Sequence, residues 1–169
     1  MNITSDLQHT SYGGFTLLEL IIAMTVMGIL MLTATPPLRS YIRTNHVTAA
    51  ANDLVGALNY ARSEAVSRQI NVTVCQSFDL EGCDSSGWEQ GWIIFTDENG
   101  DANVDGTDSI LRAHNTFTTD ISISSAADAI IYQPTGFLAS PSGGDAISIT
   151  ANNKEINVIV NSSGSMRTE

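Results

Sequence analysis

The sequence has 169 residues, of which 18 are acidic and seven are basic, so its formal net charge is −11 at pH 7. This length is typical of roughly one domain. The acidic excess argues against binding to phosphates and anionic lipid headgroups, because a surface of this charge repels them. Beyond Ile70 the imbalance is sharper, with three basic residues against 14 acidic ones (Arg112, Lys154 and Arg167 are the basic three).

The first 35 residues combine a polar segment with a long apolar run. Residues 1–14 lack the apolar core and the small-residue cleavage site of a secretory signal peptide. From Phe15 to Thr35 the only ionisable side chain is Glu19. About 20 apolar residues rising about 1.5 Å each match the roughly 30 Å core of a bilayer, so residues 15–35 are predicted to form a transmembrane helix. A carboxylate costs about 2.5–3.5 kcal/mol there, which predicts a functional role for Glu19.

The junction Gly14-Phe15-Thr16-Leu17-Leu18-Glu19, followed by an apolar helix, resembles the start of type IV prepilins and of the pseudopilins of type II secretion. The resemblance implies that residues 1–14 are a leader, which a prepilin peptidase removes between Gly14 and Phe15 before it methylates the amine of Phe15. It also implies that Glu19 neutralises the terminal amine of a neighbouring subunit and that Pro36 breaks or loosens the helix. An ordinary signal anchor with the same residues is the alternative.

The same resemblance implies a location. It places the chain in the bacterial inner membrane, with a single pass, a periplasmic head and incorporation into a pilus or pseudopilus. Charge does not support this orientation, since the leader lacks Lys and Arg whereas Arg39 and Arg43 follow the apolar run.

Residues 36–69 are predicted to continue the helix in amphipathic form. Small and apolar side chains recur at three- and four-residue spacing: Val47, Ala51, Leu54, Val55, Leu58, Ala61 and Ala65. We expect this face to pack on a globular head. Arg39, Arg43 and Arg62 lie elsewhere on the helix and are interpreted as solvated charges, with contacts to neighbouring subunits as the alternative.

Residues 70–169 are predicted to form a β-rich head, because the apolar period changes from helical to alternating at Ile70. The predicted strands are 70–75, 91–96, 109–113, 120–124, 129–132, 146–151 and 155–161. Asn152-Asn153-Lys154, between the last two predicted strands, consists of residue types that favour tight turns. These two strands are therefore predicted to form a hairpin. The Pro, Gly and Ser run of residues 134–144 predicts a surface loop.

The predicted architecture is therefore α+β and pilin-like: a long N-terminal helix, with its first half in the membrane, packed on an antiparallel sheet. The order of motifs in the head is similar to that of the GspH/FimT family. These motifs include Ala61-Arg62-Ser63-Glu64-Ala65, the segment from Gly91 to Asp97, the Asp- and Asn-rich loop before Ile110, and the Gly-rich end. That family contains minor pilins and the minor pseudopilin of type II secretion.

Cys75 and Cys83 are the only cysteines. A periplasmic head, as the resemblance implies, lies outside the reducing cytosol, so we expect a disulfide between them, with two unpaired thiols as the alternative. Closing this short loop would contribute about 2.5 kcal/mol on the chain-entropy model.

The segment from Asp97 to Asp108 is a candidate calcium loop, because Asp101, Asn103 and Asp105 match the first half of an EF-hand. The twelfth position is Arg112 where the pattern requires Glu, and no flanking helices are predicted. A solvated hairpin loop is the preferred interpretation.

No catalytic motif is recognisable, so we expect no enzyme and no cofactor. Three functions remain, each with other pilins or pseudopilins, the prepilin peptidase and the inner membrane as partners. The preferred one is a minor pilin that primes or caps a type IV pilus, and the second is a type II secretion minor pseudopilin. The third, a DNA-uptake pilin, would need a C-terminal Gly-Arg-x-Arg pattern, but this chain has Gly164-Ser165-Met166-Arg167. Only Arg167 is a candidate contact, so nucleic acid is disfavoured as a partner.

Overall fold

The computed structural model describes residues 14–117, 121–139, 146–151 and 154–169, without the side chains of 32–40 and 43. The chain divides into two compact units, residues 1–40 and 41–169. Most of the predicted leader, the Asn152-Asn153 turn and much of the loop predicted at 134–144 lie outside the described residues.

One helix, α1 (Leu17–Arg68), contributes to both units. It is continuous through Pro36 and Pro37, so the helix break predicted at Pro36 does not interrupt the secondary structure. Proline has no backbone N–H, and these two residues therefore cannot donate the usual bonds to the carbonyls of Leu32 and Thr33. A loosening of the helix at this turn stays a prediction.

In the second unit, α1 buries a stripe of small and apolar side chains, as its sequence period predicted. The residues of this stripe are at most 2% exposed: Val47, Ala50, Ala51, Leu54, Leu58, Ala61 and Ala65. Four alanines in this stripe keep the side chains short, so the helix can lie close to the sheet. Val55, which was predicted to share this face, is only partly buried.

The head contains two antiparallel four-stranded sheets, where the sequence had predicted a single sheet. The first has the order β3-β2-β1-β5 and is formed by β1 (Val72–Gln76), β2 (Gly91–Thr96), β3 (Ile110–Asn115) and β5 (Ala129–Tyr132). The second has the order β4-β6-β7-β8 and is formed by β4 (Ser122–Ser124), β6 (Ala146–Ala151), β7 (Lys154–Val160) and β8 (Met166–Thr168). Alternation in the sequence predicts strands, but it does not predict which strands pair.

The predicted hairpin of β6 and β7 is confirmed by antiparallel pairing from Ala146↔Ile159 to Ala151↔Lys154. The bounds of β2, β5 and β6 also agree with the prediction, and the α+β architecture is confirmed. Two short elements were missed, β8 and a 3-10 helix at Trp88–Gln90. Both have only three residues, too few to show a period.

Strands β1 and β2 are buried on both faces. Val72, Val74, Trp92 and Ile94 belong to the main core, which also contains the buried stripe of α1. On the opposite face, Cys75, Ile93 and Phe95 form a second cluster, against which Leu80, Cys83, Val104 and Ala129 pack. The disulfide-closed loop and the acidic loop therefore cover the face of the sheet that lies away from the helix.

Candidate functional site

The N-terminus of α1 is capped by Thr16. Its side-chain oxygen accepts a hydrogen bond from the backbone N–H of Glu19 at 3.2 Å, and its carbonyl accepts one from the N–H of Leu20 at 3.2 Å. Thr16 and Glu19 have the spacing of a capping box, and a carboxylate in the first turn is favoured by the helix dipole. Gly14 and Phe15, the predicted processing residues, directly precede this cap.

The first unit exposes apolar side chains over the described segment from Leu17 to Met31. Phe15 is 84% exposed, and apolar residues of the segment lie on every side of the helix. A helix that is apolar all round requires an apolar environment or other helices. Within the described residues, no helical stretch has both the length and the hydropathy required to cross a membrane.

Arg62 joins α1 to two loops of the head. Its Nε donates a hydrogen bond to the carbonyl of Gly136 at 3.0 Å, and Nη2 donates one to the carbonyl of Ser163 at 3.1 Å. Arg62 was interpreted from the sequence as a solvated helix charge, and this interpretation is wrong. Periodicity shows that Arg62 lies off the apolar face, but only the tertiary structure brings two carbonyls to its guanidinium.

Gly164 lies at the same junction and has no room for a side chain. Its φ is +74°, and a Cβ built there would meet the carbonyl oxygen of Gly136 at 2.1 Å. Glycine is therefore required twice, by its backbone conformation and by the close approach of the two loops.

The structure contains the disulfide expected between Cys75 and Cys83, with the Cα atoms 5.6 Å apart. Two carboxylates order the loop that the disulfide closes. Asp79 accepts hydrogen bonds from the N–H groups of Glu81 and Gly82, and these bonds lower the pKa of Asp79. Bonds from the side chain of Ser86 and the N–H of Phe78 likewise lower the pKa of Asp84.

The acidic loop between β2 and β3 is organised by Asp97, which is fully buried. Its carboxylate accepts hydrogen bonds from the N–H groups of Gly100, Asp101 and Ala102. The hydroxyl of Thr73 also donates to it at 2.6 Å. No role was predicted for Asp97 from the sequence. A buried strand that ends in Asp and is followed by Asn-Gly could have indicated it.

The three calcium candidates lie on the outer side of this loop. Asp101 accepts hydrogen bonds from the N–H of Asn103 and from the amide of Asn99, and Asp105 donates its N–H to Asp108. Across the described residues, no three His, Cys, Asp or Glu side chains converge on a possible ion position. These residues make hydrogen bonds within the loop itself. Such contacts are consistent with the hairpin loop that was preferred from the sequence.

A groove lies between α1 and the edge of the first sheet, and it has a volume of about 340 Å³. On the sheet side, His114 stacks on Trp92 with ring centroids 4.0 Å apart. On the helix side, Asp53 places an oxygen 3.7 Å from Nε2 of His114. The guanidinium of Arg112 lies 3.7 Å above the ring of Tyr60, which fixes it by a cation–π contact. None of these side chains was predicted from the sequence to line a groove.

At the C-terminus, the DNA candidate Arg167 lies on β8 and forms an ion pair of 3.1 Å with Glu169. Both side chains are more than half exposed. A neighbouring carboxylate weakens the attraction of this arginine for a phosphate.

A helix with a capped, apolar N-terminal segment and a β-rich head define a pilin-like protein. Two family comparisons agree with this class. Residues 10–35 match the prokaryotic N-terminal methylation motif, and residues 50–164 match the family described as type II transport protein GspH. The chain therefore belongs to the GspH family. The methylation motif indicates a membrane anchor at the N-terminus.

The fold is similar to that of a solved minor pilin. Two crystal structures of the type IV minor pilin FimU from Pseudomonas aeruginosa match with TM-scores of 0.57 and 0.53. Their sequence identities are 23% and 24%, and the matches cover 74% and 72% of this chain and 89% and 91% of FimU. At this identity the likeness shows the fold alone. No curated protein sequence matches the chain.

Proposed function

We propose that the chain is a minor pilin that takes part in type IV pilus assembly, as a priming or tip subunit. The observation that carries the proposal is the N-terminal segment: a helix that exposes apolar side chains all round and bears a single carboxylate, Glu19, in its first turn. The methylation motif over residues 10–35 and the fold shared with FimU support it.

In this proposal the chain functions by packing and not by catalysis. Cleavage between Gly14 and Phe15 by a prepilin peptidase creates a new amine at the start of the apolar helix. Glu19 then supplies the countercharge for the amine of a neighbouring pilin, and the apolar helices pack together as the subunit leaves the inner membrane. The head remains on the periplasmic side, where its disulfide is stable.

The experiment compares Glu19→Ala with the wild type in a cell that makes the other pilins. An uncompensated buried ion costs about 3–5 kcal/mol, which is about 100- to 4,000-fold in incorporation. Leader removal and membrane insertion persist, since the helix only loses a charge. The measurement is co-purification with partner pilins at equal amounts of processed protein, and Glu81→Ala, which removes an exposed carboxylate of the head, is the control. Normal incorporation of Glu19→Ala contradicts the proposal.

A second candidate function is the minor pseudopilin of a type II secretion system. The description of the matched family, type II transport protein, favours it. Both functions use the same assembly contacts, so a gene deletion separates them. Loss of piliation with intact exoprotein secretion supports the pilin, whereas the reverse result supports the pseudopilin.

A further inference from the structure

The outer edge of β3 is the longest open sheet edge in the part of the chain that the structure describes. β3 has six residues and lies at one end of the first sheet. At the other end, β5 has four residues and its edge is covered, because the N–H of Ala139 donates to Ile131 and Leu138 pairs with Tyr132. The end strands of the second sheet, β4 and β8, have three residues each.

The backbone of β3 leaves unpaired groups on this edge. The carbonyl of Gly91 accepts a hydrogen bond from the N–H of Ser77, which follows β1, so the alternating pattern directs Trp92 and Ile94 toward β3. Their partners His114 and Arg112 therefore bond to β2, whereas the N–H and C=O groups of Ala113 and Asn115 point away from the sheet. The register shift between Ile94 and Phe95 lies near the start of β3 and does not disturb this stretch.

Among the described residues, no free lysine, proline or covering segment protects the outer edge of β3, although such protection is usual for an edge strand. The only charged side chain of β3, Arg112, is held over the ring of Tyr60. Open edges of this kind bind extended peptides, whose main chain supplies affinity while alternate side chains enter neighbouring pockets.

The groove beside the edge provides such a pocket. It opens between α1 and the side chains of Trp92, Arg112 and His114. Nδ1 of His114 is buried and has no hydrogen-bond partner among the described residues. Asp53 is 54% exposed, and its only ion-pair contact in the described part of the chain is the 3.7 Å approach of His114. A donor entering the groove can therefore pair with the exposed carboxylate of Asp53.

The negative charge around β3 indicates which kind of partner segment the edge would bind. The loop of residues 97–109, which leads into β3, contains five acidic residues and no Lys or Arg: Asp97, Glu98, Asp101, Asp105 and Asp108. Asp53 adds a carboxylate in the groove beside the other end of the strand. The negative electrostatic potential of these carboxylates attracts a basic segment and repels an acidic one, including a second copy of this acidic head.

We propose that the outer edge of β3 binds a basic, extended segment of a partner protein as an added strand, with a Lys or Arg side chain beside Asp53. This inference goes beyond assembly through the N-terminal helix, because it assigns a second interaction surface to the head. A negative result for the edge of β3 would leave the proposed role of Glu19 unaffected. A negative result for Glu19 would likewise leave the proposal for β3 unaffected.

The test uses the full processed chain in detergent micelles and a short synthetic peptide of alternating valine and lysine. Fluorescence anisotropy measures its binding, with the same peptide carrying glutamate in place of lysine, and a backbone N-methylated version, as controls. The lysine peptide alone is expected to bind. It should also slow amide exchange at Ala113 and Asn115, whose N–H groups would bond to the added strand. Equal binding of all three peptides, or no protection at these amides, overturns the proposal.

Variants distinguish the contribution of the β3 backbone to peptide binding from the contribution of the groove. Ala113→Pro removes one outward N–H, and Ala113→Val, which keeps that N–H, is its matched control. The proline variant should bind at least about tenfold more weakly than the valine variant. Asp53→Asn should lower affinity roughly two- to fivefold, whereas Glu81→Gln, with the same change of charge in the disulfide-closed loop, should not. Thermal melting establishes that each variant is folded.

Two further outcomes contradict the assignment. If the chain dimerises and Ala113→Pro abolishes the dimer, the occupant of the edge is a second copy and not a basic partner. If Ala113→Pro fails to fold, amide exchange of the wild type with the peptide decides alone. Unchanged exchange at Ala113 and Asn115 then rejects the site.

Discussion

Nε of Arg62 donates a hydrogen bond to the carbonyl of Gly136 at 3.0 Å, across 74 residues of sequence. The same guanidinium reaches the carbonyl of Ser163 in the last loop of the chain. A single helix residue therefore holds two distant loops, and the planar fork of arginine suits two acceptors in fixed directions.

Arg62→Ala should destabilise the head by about 1.5–3 kcal/mol, because two carbonyls lose a charged donor. Arg62→Lys should recover only part of this, since an ammonium is not a planar fork. Chemical unfolding of the purified protein measures both. Arg68→Ala is the control, since Arg68 pairs on the surface with Glu64, at helical i, i+4 spacing, and should cost only about 0.2–0.5 kcal/mol. Equal effects of Arg62→Ala and Arg68→Ala would contradict the role of Arg62.

Gly164→Ala should also destabilise the head, by roughly 1–3 kcal/mol, because the new Cβ would meet the carbonyl of Gly136 and the φ is positive. Gly82→Ala is the matched control. A Cβ on Gly82 meets no atom within 4 Å, and its φ is not in the positive region. Thermal melting compares the two, and a Gly164→Ala protein as stable as the Gly82→Ala protein refutes the close approach.

Removal of the disulfide should lower stability by about 2.5 kcal/mol on the chain-entropy model. The variant is the double substitution Cys75→Ser and Cys83→Ser, and mass spectrometry under non-reducing conditions first establishes that the wild type contains the bond. The second cluster, with Ile93 and Phe95, should loosen with it, because Cys75 and Cys83 both pack there. Free thiols in native protein, or an unchanged melting temperature, would count against this prediction.

The disulfide-closed loop should be sensitive to acid. The folded-state pKa values of Asp79 and Asp84 lie below their ordinary value of 3.8. Groups with a lowered pKa stabilise the fold above the unfolded value, and this contribution is lost as the pH falls through the folded value. Amide exchange at Glu81 and Gly82 should therefore be constant near neutral pH and should accelerate below about pH 3.8, relative to the intrinsic rate. Asp79→Asn should remove most of this dependence, and a wild-type profile in this variant excludes Asp79 as the cause.

The predicted cleavage after Gly14 and methylation of Phe15 can be measured directly. When the chain is expressed with a prepilin peptidase, intact-mass analysis should show the loss of residues 1–14 and the gain of one methyl group on Phe15. A glycine before the cleaved bond lets the backbone lie close to a protease, so Gly14→Val should block the step while Gly28→Ala, within the helix, should not. A cut at any other position removes the basis of the proposed function.

The features that depend on local chemistry could be predicted from the sequence. The apolar run with its single Glu19 indicated the N-terminal segment, the three- and four-residue spacing indicated the buried stripe of α1, and alternation indicated β2, β5 and β6 at their observed bounds. Each of these patterns has a period that is set by one element, so no long-range contact is needed to recognise it.

The pairing of the strands, and with it the division into two sheets, became known from the tertiary structure. The tertiary structure also showed that Arg62 is bound by two carbonyls, that Asp97 is buried beneath its loop, and that His114 stacks on Trp92 beside Asp53. The contacts of Arg62 and of His114 join residues that are 22 to 101 positions apart, and their energy depends on distances that no local pattern encodes. The open edge of β3 is also a feature that local patterns do not predict, because whether a strand lies at an edge depends on where all the other strands lie.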